Sequence, residues 1–290
     1  MNFEGVVLSG GGTKGILTLG ALHYYYEKGT YNHAHVQTYS ATSVGTSISV
    51  LLLCGYTPIE IFIEVYKTHN LFQIPNNISI FDISKNMGVL PIESFSCKIK
   101  NMIESKLGFI PTLEELKGLT NKTLIATVSN VTKMRTEYYS HENNPTISSL
   151  LATELSCCLP VVFRRMKYGE DYMTDGGLTD NFPIKQIDDG KKKILAIATI
   201  IPESSDSHPP EDQFIGYFYR LMLLPVTTNN NLRLTSCGSN VTLIKIKYDV
   251  DIFEVSISED KKMDMFTIGY QTAEYKDKAE YMFVEGIDNM

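Results

Sequence analysis

The sequence predicts a three-layer α/β/α fold on a mostly parallel central sheet. From residue 3 onward, short apolar runs of strand length alternate with longer runs of helical spacing. That pattern is expected of parallel strands joined by crossover helices that cover both faces. Residues 194–200 form an apolar strand of the kind buried inside such a sheet. Two of the strand-like runs end in turns of small residues directly before a helix, at Gly10-Gly11-Gly12 and around Ser43.

Residues 3–8 read as a buried strand that enters Ser9-Gly10-Gly11-Gly12-Thr13-Lys14-Gly15, and residues 16–28 as a helix closed by Gly29. A second strand, residues 36–40, precedes the small and apolar run 44–54. Thr57-Pro58 opens a helix to about residue 70, with threonine as cap and proline in the first turn. Residues 71–87 read as a loop or flap. Helices follow at 91–107 and near 113–117, strands at 123–129 and 136–140, and a helix at 147–157 that Pro160 stops. A short β-like stretch, 172–174, leads to Asp175-Gly176-Gly177. After the strand at 194–200 come a loop at 204–210, an apolar helix at 214–224, a strand at 241–248 and a mixed-charge helix at 260–283. No repeat or linker divides the chain, so residues 1–290 read as one domain, its motifs within about 3–200 and its sheet completed by 201–290.

Composition narrows the function classes. A hydrophobic fraction of 43% over 290 residues is ample for a core, and the 20% of charged residues are spread without blocks. With 26 basic and 33 acidic side chains the net charge is −7, so nucleic acid is not an expected partner. The 5 cysteines include adjacent Cys157 and Cys158 but no C-x-x-C, which suits a reducing compartment and suggests neither a disulfide framework nor a zinc site. The start of the sequence runs straight into Val6-Val7-Leu8 without a signal-peptide pattern, and the apolar run 48–54 is too short to span a bilayer. The expectation is a cytoplasmic protein whose membrane contact is peripheral.

Three stretches could carry chemistry. In Tyr39-Ser40-Ala41-Thr42-Ser43-Val44-Gly45-Thr46-Ser47, Ser43 has small residues two positions before and after it, the layout of a nucleophile elbow. Ala41 stands where the usual G-x-S-x-G pattern has its first glycine. Small residues are needed there because strand and helix backbones crowd at the turn, and the N–H of Val44 would point where an oxyanion forms. The plainer reading is a serine N-cap. The glycine run satisfies G-x-G-x-x-G at Gly10, Gly12 and Gly15, but the second strand ends Gln37-Thr38-Tyr39-Ser40 without the carboxylate that a dinucleotide site uses. A phosphate loop fails because Lys14 is followed by Gly15. What remains is a strand-to-helix loop whose N–H groups can hold an anion, including a transient one. The third stretch is Thr174-Asp175-Gly176-Gly177-Leu178-Thr179-Asp180-Asn181-Phe182-Pro183, by itself an ordinary Asp-Gly turn.

In this order the three elements resemble the patatin-like phospholipases, lipid acyl hydrolases with a Ser–Asp dyad. The resemblance covers residues 6–200. Gly10-Gly11-Gly12-Thr13-Lys14-Gly15 is similar to the family's G-G-G-x-R/K-G oxyanion loop, Ser43 falls on its nucleophile and Asp175 on the aspartate of D-G-G/A. Leu159-Pro160 before Phe163, and Asn181-Phe182-Pro183, resemble the family's surroundings of its second catalytic residue. Beyond residue 200 only Ile268-Gly269-Tyr270 is reminiscent of it. The resemblance implies hydrolysis of fatty acyl esters, phospholipids first, by Ser43 with Asp175 as base. Gly10, Gly11, Gly12 and Val44 would serve as oxyanion donors, and Lys14, Gly15, Ala41, Gly45, Gly176 and Gly177 would support the motifs. It implies no metal and no cofactor, and a lipid substrate met at a membrane, with any activating protein partner unspecified. Residues 71–87 and 203–240 are expected to shape the acyl groove.

Two other readings stay open on the residues alone: an esterase of neutral lipids or small esters using the same site, and a nucleotide-binding or scaffolding α/β protein whose serine is structural. A Ser–Asp–His triad would have to use His208, the histidine that follows Asp175, in a polar loop expected to be exposed. His23, His33, His35, His69 and His141 lack metal-ligand spacing, and Tyr24-Tyr25-Tyr26 reads as helix packing and rim.

Overall fold

An eight-stranded sheet organises the described residues of this computed structural model, which are 2–68, 85–200, 214–249 and 257–285. In chain order, β1 (Gly5–Leu8) leads through a 3-10 turn (Gly12–Lys14) into α1 (Gly15–Glu27). Strand β2 (Thr38–Thr42) turns at Ser43 into α2 (Val44–Leu53), and α3 (Pro58–Tyr66) follows. Next come β3 (Gly88–Leu90), α4 (Glu93–Leu107), α5 (Leu113–Thr120), β4 (Thr123–Asn130), β5 (Arg135–Tyr139) and α6 (Ser149–Cys157). Strands β6 (Val161–Phe163), β7 (Met166–Tyr168) and β8 (Asp171–Asp175) precede the short α7 (Gly177–Asp180) and a 3-10 turn (Ile184–Gln186). The rest is β9 (Ile194–Ile200), α8 (Phe214–Thr235), β10 (Val241–Lys247) and α9 (Glu259–Glu285).

The main sheet runs β10-β9-β1-β2-β4-β8-β7, with β5 also paired to β4. Every pairing from β10 to β4 is parallel, whereas β5 and β8 pair antiparallel with β4, and β7 antiparallel with β8. Alternation along β9 shows how both faces are covered. Leu195 and Ile197 enter the core beneath α1, α2 and α9, whereas Ile194, Ala196 and Ala198 pack with Phe182, Ile184 and Leu234 on the other face. The three layers are therefore those expected. On the first face α9 lies against α1 nearly backbone to backbone. A Cβ on Gly20 would sit 2.0 Å from the Phe266 carbonyl oxygen, and one on Gly269 2.0 Å from that of Leu17. No other residue fits that crossing.

Local signals placed most elements. Thr57 and Thr112 each form a full capping box, with Glu60 and Glu115, and Pro58 occupies the first turn of α3. The second strand lies at 38–42 instead of 36–40, because its register is fixed by β1 and β4 on its two sides. The apolar helix expected at 214–224 continues through Pro225 to Thr235. The three-residue strands β3, β6 and β7 were not expected, since so few residues carry no alternation. β3 and β6 form a separate two-stranded sheet, entered through Val161 at φ 70°, an unusual conformation for a β-branched residue. The expected loops fall mostly on residues 69–84 and 201–213, outside the described residues.

The sheet's register brings two distant chain segments together. Thr127 of β4 pairs with Thr42 on one edge and Tyr138 on the other, and the next residue, Val128, pairs with Asp175 and Glu137. Strand β5 therefore holds one edge of β4, and β2 and β8 share the opposite edge. They run in opposite directions along it, so the C-terminal ends of both strands converge. The residues emerging there are Ser43 and Asp175.

Candidate active site

Ser43 leaves β2 at φ 53°, ψ −126°, a region that side chains other than glycine rarely adopt. Such a conformation costs on the order of 1–3 kcal/mol and persists only where its surroundings hold it. Here the Ser43 N–H donates to Ser156 Oγ at 2.9 Å, and the Thr46 N–H donates to the Ser43 carbonyl at 2.8 Å. Gly45 lets α2 start directly against β1. The strained strand-to-helix turn expected from the spacing is present. Ala41 is an ordinary, fully buried strand residue paired with Leu8 and Ala126, so glycine's freedom is not needed there. We expect Ala41→Gly to retain native turnover of an activated ester. Ala41→Val should lose activity and melt lower, since overpacking costs about 1–3 kcal/mol. Equal activity and melting of the two variants would remove this steric account.

Asp175 faces Ser43 directly. Ser43 Oγ donates to Asp175 Oδ2 at 2.6 Å, and the Gly177 N–H donates to Asp175 Oδ1 at 2.7 Å. The carboxylate is only 4% exposed. Burial pushes its pKa up to about 6, against the lowering effect of the Ser43 and Gly177 hydrogen bonds. Its backbone is fixed as well, with the N–H on the Cys158 carbonyl and the carbonyl on Ser129 Oγ. Gly176 is required by space: a Cβ there would lie 2.2 Å from the Thr127 carbonyl oxygen.

The glycine loop closes the third side. A Cβ on Gly10 would fall 3.1 Å from Ser43 Cβ and 2.4 Å from Asn181 Oδ1, so the loop lies hard against the serine. The Gly10 N–H is already engaged, donating to the Asn181 carbonyl at 3.2 Å. That differs from its expected place among the oxyanion donors and leaves Gly11, Gly12 and Val44 for such a role. Gly15 allows the start of α1 to meet Val44, whose Cγ2 would lie 2.5 Å from a Cβ at that position. Lys14 is 2% exposed and lines the cavity.

Ser43, Asp175, Val44, Gly177 and the loop from Gly10 to Gly15 all border one cavity of about 280 Å³. Its remaining wall is mainly apolar, including Ile48, Leu51, Phe95, Ile99, Met102, Leu159, Phe163, Leu223 and Val226. Ala41, Gly45 and Gly176 lie behind the wall and shape it. An apolar channel ending at a hydroxyl–carboxylate pair suits a long hydrocarbon attached to a reactive carbonyl. Residues to which the sequence assigned no place in the site also contribute: Ser156 behind Ser43, Asn181 against Gly10, and Cys157, whose Sγ lies 3.3 Å from Ser47 Oγ at the cavity wall. Ser156 and Cys157 sit on a helix with no local motif to mark them, whereas Asn181 lies inside the Asn-Phe-Pro run.

Among the described residues no group of three His, Cys, Asp or Glu side chains is placed to hold a metal ion. Asp188 and Asp189 accept hydrogen bonds from backbone N–H groups of their own loop. His33 packs on Tyr39 with a 3.0 Å hydrogen bond. Tyr25 is buried in the core, while Tyr24 donates to Asp277 at 2.8 Å and Tyr26 is exposed, the packing-and-rim arrangement expected. His69, His208 and the acidic pair Glu211-Asp212 lie outside the described residues.

A serine held at positive φ against a buried carboxylate and a glycine loop marks a carboxylic ester hydrolase, not a dinucleotide-binding sheet. Residues 6–188, more than half of the chain, match the family described as Patatin-like phospholipase, and the chain belongs to that family. It is similar to Probable lipid hydrolase 463L of Invertebrate iridescent virus 6, with 32% identity over 184 residues, 63% of this chain and 62% of that protein. The match thus spans less than two thirds of that relative's length. Uncharacterized protein R571 of Acanthamoeba polyphaga mimivirus is 24% identical over 280 residues, 93% of this chain and 92% of its own. Among solved structures, VipD from Legionella pneumophila superposes with a TM-score of 0.58 at 18% identity, over 96% of this chain and 67% of that one. The ExoU–SpcU complex of Pseudomonas aeruginosa gives a TM-score of 0.52 at 15% identity, over 96% of this chain and 51% of that one. Both likenesses concern the fold.

Proposed function

We propose that the chain is a lipid acyl hydrolase that cleaves fatty acyl ester bonds of phospholipids, with Ser43 as nucleophile and Asp175 as its base. The observation that carries this reading is the 2.6 Å hydrogen bond from Ser43 Oγ to Asp175 Oδ2 at the end of an apolar cavity. A serine hydroxyl is a weak nucleophile until a base takes its proton. Asp175 Oδ2 takes that proton as Oγ attacks the acyl carbonyl, while Gly177 keeps the other carboxylate oxygen fixed. The carbonyl oxygen becomes an anion and is stabilised by the N–H groups of Gly11, Gly12 and Val44. Each such donor is worth on the order of 3 kcal/mol in the transition state. Collapse breaks the ester C–O bond, and Asp175 returns the proton to the departing alkoxide, which leaves as a lysophospholipid. Water then attacks the acyl-serine carbonyl and gives a proton to Asp175; the acyl C–Oγ bond breaks, Asp175 returns that proton to Ser43 Oγ, and the fatty acid departs.

Labelling by a fluorophosphonate probe tests the assignment. The native chain should be labelled at Ser43 and Ser43→Ala should not be labelled, with its fold intact. His208→Ala should label and turn over like the native chain. A probe that reacts equally with Ser43→Ala, or an inert but folded His208→Ala, would remove the dyad.

A further inference from the structure

Helix α8 presents two different faces. Leu223, Val226 and Leu234 border the acyl cavity. Tyr217, Leu221 and Leu224 are 56%, 48% and 65% exposed, and their spacing of four and three residues places them on one stripe. At about 100° per residue, this stripe is turned by about 120° from the middle of the cavity-lining residues and adjoins them at Asn231. The 22 residues of α8 include Arg220 and Arg233 but no carboxylate, in a chain whose net charge is −7. Its second half is fastened to the turn that follows Asp175. Asn229 Nδ2 donates to the Thr179 carbonyl at 2.6 Å, and Arg233 pairs with buried Asp180 at 3.3 Å. The Asp180 carbonyl in turn accepts from Thr42 Oγ1, one residue before Ser43, at 2.9 Å.

We propose that α8 is the surface by which this protein settles on a lipid bilayer, with Tyr217, Leu221 and Leu224 entering the interface while the adjoining face walls the acyl cavity. The proposal rests on the lipid acyl hydrolase reading for its choice of occupant. A bilayer lipid must move its acyl ester from the membrane to Ser43, and a helix shared by the two surfaces makes that path continuous. The lack of carboxylates fits an anionic headgroup layer, which repels them. Among the described residues no helix is long and apolar enough to cross a membrane, so α8 would lie in the plane of the interface. Pinning through Asn229 and Arg233 keeps the cavity aligned with Ser43 while the first half of the helix is immersed.

The test is co-sedimentation of the full chain with vesicles of mixed phosphatidylcholine and phosphatidylglycerol. The double variant Leu221→Asp/Leu224→Asp should partition onto vesicles about tenfold less, or weaker still, and Tyr217→Asp should also be weakened. Hydrolysis of vesicle phospholipid should fall in parallel, while thermal melting and hydrolysis of a soluble short-chain ester stay native. Unchanged partitioning of the double variant overturns the proposal. So does a native chain that ignores vesicles and self-associates through this stripe. Ser43→Ala should bind vesicles normally. If Ser43 proves unreactive while binding still depends on Leu221 and Leu224, the hydrolase reading falls and the docking surface stands.

Discussion

Asp175→Asn should give a folded, somewhat more thermostable protein that has lost nearly all ester turnover. The substitution preserves shape. An asparagine Oδ1 still accepts from the Gly177 N–H, which leaves its NH₂ facing Ser43 Oγ. A donor now points where the base stood, and the serine proton has no acceptor. Loss of a positioned general base lowers turnover by about 10²–10⁴-fold. On the proposed mechanism the carboxylate acts ionised, so kcat/KM should rise with pH through the Asp175 pKa of about 6 and level off above it. The stability effect has the opposite sign. This pKa lies above the ordinary value of 3.8, so the folded state is favoured below about pH 4 and that advantage is lost as pH rises through about 6. By neutral pH the ionised, buried group costs about 3 kcal/mol. Asparagine avoids that cost, so the variant should melt above the native protein at pH 7. Native turnover by Asp175→Asn, or a pH profile unrelated to a group near 6, would discard Asp175 as the base.

Gly45→Ala should damage the elbow directly. The added carbon would lie 2.6 Å from the Leu8 carbonyl oxygen and 2.9 Å from both Leu8 Cβ and the Ser9 carbonyl oxygen. Two of these are backbone atoms of the strand and loop beside the elbow, and neither can move without shifting the glycine loop. We expect activity to fall by about 10² or more, because a displacement near 1 Å at such a site has that effect, together with a lower melting temperature. Gly118→Ala supplies the contrast. It lies within α5, where a Cβ meets nothing within 4 Å, so the change should stabilise by roughly 0.5–1 kcal/mol with activity untouched. Comparable activity of Gly45→Ala and native protein would mean that β1 and α2 are not as tightly apposed as described.

The parts of the site that could be read in the sequence are those where chemistry and backbone demand coincide. Ser43 was visible because its turn requires small neighbours, and Asp175 because its Asp-Gly-Gly turn follows the other two motifs in an order that resembles a family; alone it reads as an ordinary turn. Gly10 was visible too, but not its use: only the fold shows that its N–H is committed to Asn181. Ser156 left no trace, since one hydroxyl on a buried helix looks like any other until β2 lies beside it. In the same way, long strands such as β9 announced themselves by their apolar run, whereas β6 and β7 owe their existence to partners and not to pattern. The crossing of α1 and α9 is an intermediate case. Gly20 and Gly269 could be seen, but a lone glycine in a helix does not say which backbone it admits.

The shared edge of β4 has a consequence for when this protein can act. Ser43 and Asp175 are 132 residues apart in the chain, and each is placed by its own pairing with consecutive residues of β4. A chain emerging during synthesis carries its hydroxyl long before its carboxylate, and the two meet only after β4 has been laid down and β8 has returned along it. Contacts of such long sequence separation form late, because the loop between them must first be closed. On the proposed Ser43–Asp175 mechanism, a half-made or locally unfolded copy is therefore inert. Competence for that chemistry thus belongs to the finished fold alone.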